Sequence, residues 1–234
     1  MIQITDNLVL WYKCDENSGA SQIVDNAASE SSNFDGLVNA FTSTLSTTDA
    51  QIEDRAFFFN SLYFIDIDLE LSLTNFTISF WHKESSIAGN DYIFAATSNL
   101  SKIFFTDSGG DNMFIFIDDY FQVYNYSDFH GESNAWHHIL ITRSSNGSAK
   151  AYADNSFINN TGNSGSPFGK EMKIENIGAR AIAADMYSGR LDNIQIWDKV
   201  LSSTERSYVY NNGVAGRSPE SNIPLAVNHY NRNR

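Results

Sequence analysis

The chain has 234 residues, 42% of them hydrophobic, which is enough to bury the core of one all-β sandwich, and its single cysteine, Cys14, excludes an intramolecular disulfide. Asp and Glu outnumber Lys and Arg by 28 to 15, a formal charge of −13, and the basic residues do not gather into a patch, which excludes a phosphate backbone as partner. No basic segment leads into an uninterrupted apolar run and no stretch of about 18 apolar residues occurs, so the expectation is a protein made in the cytosol without a signal peptide or membrane span.

The periodicity is two almost everywhere. Short alternating runs are separated by polar turns with Gly and Asn where positive φ is needed, which predicts an antiparallel two-sheet sandwich. Five Asn-x-Ser/Thr sequons occur, at Asn75, Asn99, Asn125, Asn146 and Asn159. About four would arise by chance in a chain this rich in Asn, Ser and Thr, so they do not point to secretion.

Along the chain, the first informative run is "FIDIDLELSLTNFTISFW", Phe64 to Trp81. Asp66, Asp68 and Glu70 stand at two-residue spacing, so a strand would carry all three carboxylates on one face, as a retaining glucanase requires. "FTISFW" then alternates Phe76, Ile78 and Phe80 against Thr77, Ser79 and Trp81. "RAFFF", "KIFF" and "NMFIFI" are apolar on both faces. A strand of that kind needs a second cover, either a loop or the curved second layer of the sandwich, or another subunit. "DSGGDN" places Asp107 and Asp111 around a hairpin turn; their spacing is not that of an EF-hand.

"DDYFQVYNYSDFHG" puts Tyr120, Gln122, Tyr124 and Tyr126 on one strand face, with Phe121 and Val123 on the other. Tyrosine offers a ring face and a hydroxyl, so these four are the candidates for glycan or partner binding. His137 and His138 are adjacent on a strand, face opposite ways and cannot chelate one metal together. Cys14 has no histidine near it in sequence and reads as a buried or inert thiol. Late in the chain "LSSTERSYVYNNG" predicts the one helix, with a Ser202/Glu205 capping box and a stop at Asn212-Gly213. Beyond Gly216 the alternation ceases, two of the three prolines appear and the end is basic. The division is a domain over 1–216 and an extended tail over 217–234, either disordered or ordering on a neighbouring chain.

Three segments carry a resemblance. "NAWHHILITRSSNGSAKAYADNS", "IENIGARAIAADMYSGRLDNIQIWDKVLSSTERSYVYNNG" and "LVLWYKCDENSGASQIVDNA" resemble, in the expected order, the central strands, the closing signature and the opening strand of laminin-G-like domains. These are the LamG or pentraxin-like branch of the concanavalin-A-like lectin/glucanase superfamily. The resemblance implies a jelly-roll sandwich with one short C-terminal helix. It implies calcium as the cofactor to consider, with Asp192 and Asp25 as candidate ligands. Asn155 stands where the family usually has a glycine, which points to a wider turn there. The family's register also runs Asp66 to Glu70 off the strand end, away from a cleft floor, and so argues against an enzyme.

Two functional expectations follow from the resemblance together with the absent export signal. One is a structural protein of a virion surface, such as a phage capsid decoration or fibre-associated protein. It would form a homo-oligomer or part of an assembly with copies of itself or a capsid or fibre protein. The other is a lectin-like module that recognises polysaccharide, with or without calcium.

Overall fold

The structure, a computed structural model, describes residues 4–15, 23–28, 34–40, 45–60, 63–84, 89–98, 100–107, 111–127, 135–181 and 184–217. All but Arg217 of the expected tail lies outside the described residues. The first strands are β1 (Leu8–Tyr12), β2 (Ile23–Val24), β3 (Gly36–Ala40), β4 (Ser46–Thr47), β5 (Ala56–Asn60), β6 (Tyr63–Leu73) and β7 (Phe76–Glu84). A meander follows, formed by β8 (Asn90–Ala95), β9 (Lys102–Thr106), β10 (Asn112–Ile117) and β11 (Tyr120–Asn125). Then come β12 (His137–Arg143), β13 (Lys150–Ala153), β14 (Ser156–Ile158), β15 (Asn160–Ser164) and β16 (Met172–Ile177). The short pair β17 (Ala179–Ala181) and β18 (Ala184–Met186), the long β19 (Ser188–Trp197) and the helix α1 (Ser203–Val214) complete the order.

Two antiparallel sheets face each other. One has eight strands in the order β14-β13-β12-β7-β19-β5-β4, with β1 also paired to β19; the other has nine, in the order β15-β11-β10-β9-β8-β16-β6-β3-β2. Alternation decides which residues meet between them: Phe76, Ile78 and Phe80 of β7 join Met113, Ile115 and Ile117 of β10 in one continuous buried core. Cys14 is a buried thiol in that core, its Sγ donating to Tyr12 O at 3.5 Å. Each such side chain contributes roughly 1.5–3 kcal/mol on leaving water, which is how the chain holds together without a disulfide.

The other face of β7 is buried as well, for a different reason. Thr77, Ser79 and Trp81 lie under 4% exposed although they point away from the core. The helix covers this side: Trp81 stacks on Tyr210 at 5.9 Å and contacts His138, while Val209, Leu201 and Trp197 form a second small cluster with Ile4. The capping box is present as expected, with the Ser202 hydroxyl accepting from the Glu205 amide and the Glu205 carboxylate accepting from the Ser202 amide. The helix end differs from the expectation. Gly213 lies inside the helix, where a Cβ would come within 2.6 Å of the Trp81 indole, so glycine there permits close approach and does not stop the helix. The stop is Gly216 at φ +66°, with Arg217 N–H donating to Asn212 O and Gly216 N–H to Gly213 O, both at 2.9 Å.

Two further expectations are corrected. β6 runs unbroken from Tyr63 to Leu73 and crosses to the other sheet through Thr74 and Asn75, so Asp66 and Glu70 sit within the strand and not at its end. The turn at Asn155 is tight: Asp154 and Asn155, both at positive φ, join β13 to β14 with Ala153 opposite Ser156. Asn tolerates the left-handed region that the family's glycine would otherwise supply.

Candidate carbohydrate-binding face

The outer face of the nine-stranded sheet is laid out in rows, because residues directly opposite on neighbouring strands project to the same side. The first row is polar: Asn90, Thr106, Asn112 and Asn125 are successive cross-strand partners. The second is Tyr92, Phe104, Phe114 and Val123, continued on β15 by Gly162. The third is Lys102, Phe116 and Phe121, continued by Ser164.

The rings of these rows stack on one another. Tyr92–Phe104, Phe104–Phe114 and Phe116–Phe121 have centroids 4.6, 5.1 and 5.0 Å apart with interplanar angles of 22°, 4° and 23°. Those separations match the spacing of neighbouring strands, about 4.7–4.9 Å. The rings therefore stand on edge, faces along the hydrogen-bonding direction and rims toward solvent. A cation closes each row at the β8–β9 side: the Arg180 guanidinium lies 5.7 Å from the Tyr92 ring and the Lys102 ammonium 4.6 Å from that of Phe116. Tyr92 and Phe104 are buried within the stack, and Phe114, Phe116, Phe121 and Val123 are half-buried. The second face of the doubly apolar "NMFIFI" is thus covered in part by its own neighbours, and no element of the described residues lies over it as α1 lies over the other sheet.

The four residues expected to bind a ligand point the other way. Tyr120, Gln122, Tyr124 and Tyr126 are at most 3% exposed and belong to the inner side of β11. Tyr120 donates to Ser148 Oγ at 2.9 Å and Tyr124 to Ala149 O at 2.6 Å, and Gln122 exchanges hydrogen bonds with the Ala149 backbone. The Tyr126 hydroxyl meets His82 Nε2 at 2.5 Å. Burial raises the hydroxyl pKa of Tyr124 and Tyr126. Each polar group that suggested a ligand is used to make burial tolerable, and the outward residues of this strand are Phe121 and Val123.

The acidic candidates separate too. Asp66 and Glu70 are exposed on the charged part of the same outer face, where Glu70 pairs with Lys173 at 2.8 Å; the side chain of Asp68 lies outside the described residues. Asp192 is fully buried, and its Oδ2 accepts the amides of Gln51 and Ile52 at 2.9 and 2.8 Å. Burial raises its pKa well above the carboxylate range. Through Oδ2 the carboxyl ties a turn to β19, while Oδ1 is buried with no hydrogen-bond partner among the described residues; Asp25 is exposed just after β2. Among the described residues no group of three His, Cys, Asp or Glu side chains is placed to hold a metal ion. Calcium prefers six to eight oxygens, which backbone carbonyls and Asn side chains can supply beside carboxylates, and residues 16–22, which precede Asp25, lie outside the described residues.

His137 and His138 face opposite ways, as alternation requires. His138 bonds Ser79 Oγ at 2.8 Å under the helix, and burial lowers its pKa to about 4. His137 bonds Asp154 at 2.8 Å. At the end of the sandwich where β7 finishes and β8 begins, burial and then the charges of Asp91 and Asp111 raise Glu84 to about 8. Burial raises Asp91 to about 7, against a hydrogen bond from the Ser188 backbone and together with the charge of Asp107.

Several solved structures share this architecture. Domain 4 of AbnA, a GH43 extracellular arabinanase from Geobacillus stearothermophilus, solved in complex with arabinotriose, aligns over 91% of this chain and 98% of its own with a TM-score of 0.65 and 15% identity. The receptor binding domain of botulinum neurotoxin D aligns over 90% of this chain and 54% of its own with a TM-score of 0.63 and 17% identity. The binding domain of Paraclostridial Mosquitocidal Protein 1 aligns over 90% and 53%, with a TM-score of 0.55 and 17% identity. The chain thus spans about half the length of these toxin domains. No curated protein matches the chain. A family model described as the concanavalin A-like lectin/glucanases superfamily matches residues 60–205, more than half of the chain. The chain belongs to the concanavalin A-like lectin/glucanases superfamily, in its laminin-G-like branch.

Proposed function

We propose that the chain is a non-catalytic carbohydrate-binding module and that the outer face of its nine-stranded sheet is the binding surface. The observation that carries this reading is the adjacency of two aromatic rows and one amide and hydroxyl row on a sheet face that no other element of the described residues covers. Saccharides need that combination, with apolar surface against their C–H faces and short neutral donors and acceptors for their hydroxyls. The carbohydrate complex of the arabinanase domain is in keeping with it. On β6, the exposed Glu70 carboxylate is paired with Lys173, in keeping with a solvated acid.

The test is a glycan array followed by calorimetry on the best oligosaccharide. Binding to the intact chain is expected, with loss in the double variant Phe114→Ala/Phe116→Ala and retention in Glu70→Gln. Equal binding by all three proteins would remove the aromatic face from the reading.

A second reading is favoured by the same face. An apolar face left open on a sandwich also suits contact with another subunit, as in a capsid decoration or fibre-associated protein on a virion surface. Mass measurement in solution separates the two. A glycan-binding monomer supports the module, and a multimer dissociated by the Phe114→Ala/Phe116→Ala change supports the assembly. Calcium dependence would appear as binding lost with chelator, and Asp192→Asn and Asp25→Asn would test the two candidate ligands. No described helix is long and apolar enough to cross a membrane.

A further inference from the structure

We infer that one neutral saccharide ring stacks on the free face of Phe121, above the step between Val123 and Gly162 at the β15 edge of the sheet. The inference rests on the reading of the chain as a carbohydrate-binding module and places the contact within it.

Ring faces are the scarce resource on this surface, because rings standing on edge spend their faces on each other. Tyr92 lies between Arg180 and Phe104, Phe104 between Tyr92 and Phe114, and Phe116 between Lys102 and Phe121. Phe114 meets Phe104 on one side and the tilted Phe121 ring at 6.4 Å on the other, with Val123 as its cross-strand partner. Phe121 is different. It stacks on Phe116, and its partner on the far side is Ser164, a side chain too short to cover a ring. Among the described residues no ring or cation stacks on that far face.

The position beside it is open in the same direction. Gly162 pairs with Val123, and a Cβ built there would meet only Val123 Cγ2, at 3.9 Å. Gly162 is not in the left-handed region, so the backbone does not require glycine. Its consequence is vacant space next to an uncovered aromatic face, which is the shape a flat ring occupies.

Charge selects the ligand class. β10, β11 and β15 read "NMFIFI", "YFQVYN" and "NTGNS", with no charged residue in a chain of net charge −13. The two cations of this face, Lys102 and Arg180, are seated on Phe116 and Tyr92 at the far ends of their rows, so these uncharged strands on an acidic body favour a neutral sugar over an anionic one. Short amide and hydroxyl side chains border the patch at Asn112, Asn125 and Ser164, suited to neutral hydroxyls. A protein partner would be expected to match a broader apolar area than one ring face and a valine.

The experiment uses the full chain and an array holding neutral, sialylated and uronic-acid oligosaccharides, with arabinotriose included. The decisive variant is Gly162→Leu, which fills the vacant space without touching the core, and Phe121→Ala accompanies it. Thermal unfolding of Gly162→Leu should match the parent. Binding of the preferred neutral glycan should weaken roughly five- to tenfold or more in both variants, the size of one lost ring contact, and should change little between low and high salt. Unchanged binding in Gly162→Leu and Phe121→Ala, with loss in Phe114→Ala/Phe116→Ala, overturns this site and leaves the module intact. Selective capture of sialylated or uronic-acid glycans overturns the neutral class. Self-association broken by Gly162→Leu makes the patch a protein contact and overturns the saccharide. Absence of all glycan binding by the parent chain overturns both readings.

Discussion

The two outer faces of the sandwich carry similar material and meet different fates. On the eight-stranded sheet, Trp81 and His138 are sealed by Tyr210 and the rest of α1. On the nine-stranded sheet, Phe114, Phe116 and Phe121 are half-buried, and among the described residues their cover is the neighbouring side chains of the same face. Both faces bury aromatic surface, so aromatic content alone does not mark a binding site. What distinguishes them is that a helix seals one, while no element of the described residues covers the other.

The largest way to break this contrast is on the sealed face. Trp81→Ala removes the ring beneath the helix and should cost about 3–5 kcal/mol in urea unfolding. Gly213→Leu should follow at about 1–3 kcal/mol, since its Cβ already enters the indole. Carboxyls between the sheets give an effect of their own. Glu84 and Asp91 rise from 4.5 and 3.8 to about 8 and about 7 on folding. The folded chain therefore holds protons that the unfolded chain has released. Stability should fall as pH rises from about 4 to about 8, and the Glu84→Gln/Asp91→Asn chain should show a flatter profile in melts across that range. A profile as steep as the parent's would assign the dependence elsewhere.

On the open face, Phe114→Ala should cost only roughly 1 kcal/mol, because the ring is half-exposed and its loss creates no closed cavity. A cost equal to that of Trp81→Ala would mean that the two faces are structurally alike. The smallest effect belongs to Asp66→Asn/Glu70→Gln. The Glu70–Lys173 pair is exposed, and removing it should shift stability by less than about 0.5 kcal/mol. A larger shift in the unfolding midpoint would give the acidic strand a role beyond solvation.

The fold was legible because its signals are local. Period-two alternation, the capping box at Ser202 and Glu205 and the ordered laminin-G-like segments each need only a few neighbouring residues. The site was less so, since alternation shows that two faces exist and not which is inside. On β11 one face held tyrosines and the other Phe121 and Val123. Polarity suggested the tyrosines were outside, yet their hydroxyls reach Ser148, Ala149 and His82 across the core. Likewise, Gly213 beside Asn212 has the form of a helix stop, and only Trp81, 132 positions earlier in the sequence, explains why the glycine is needed. The cross-strand rows were invisible for the same reason, as they join strands whose pairing no short stretch specifies.

The helix end has a consequence for how the molecule can be held. Gly216 turns the chain away beside Gln51 and Glu53, whose amide donates to Gly216 O, on the flank covered by α1. The last described residues, Gly216 and Arg217, therefore lie on the side opposite the aromatic rows, with about 10 Å of packed core between the two sheets. A probe or support coupled at Arg217 would leave the aromatic rows facing outward, like a palm turned from the wrist.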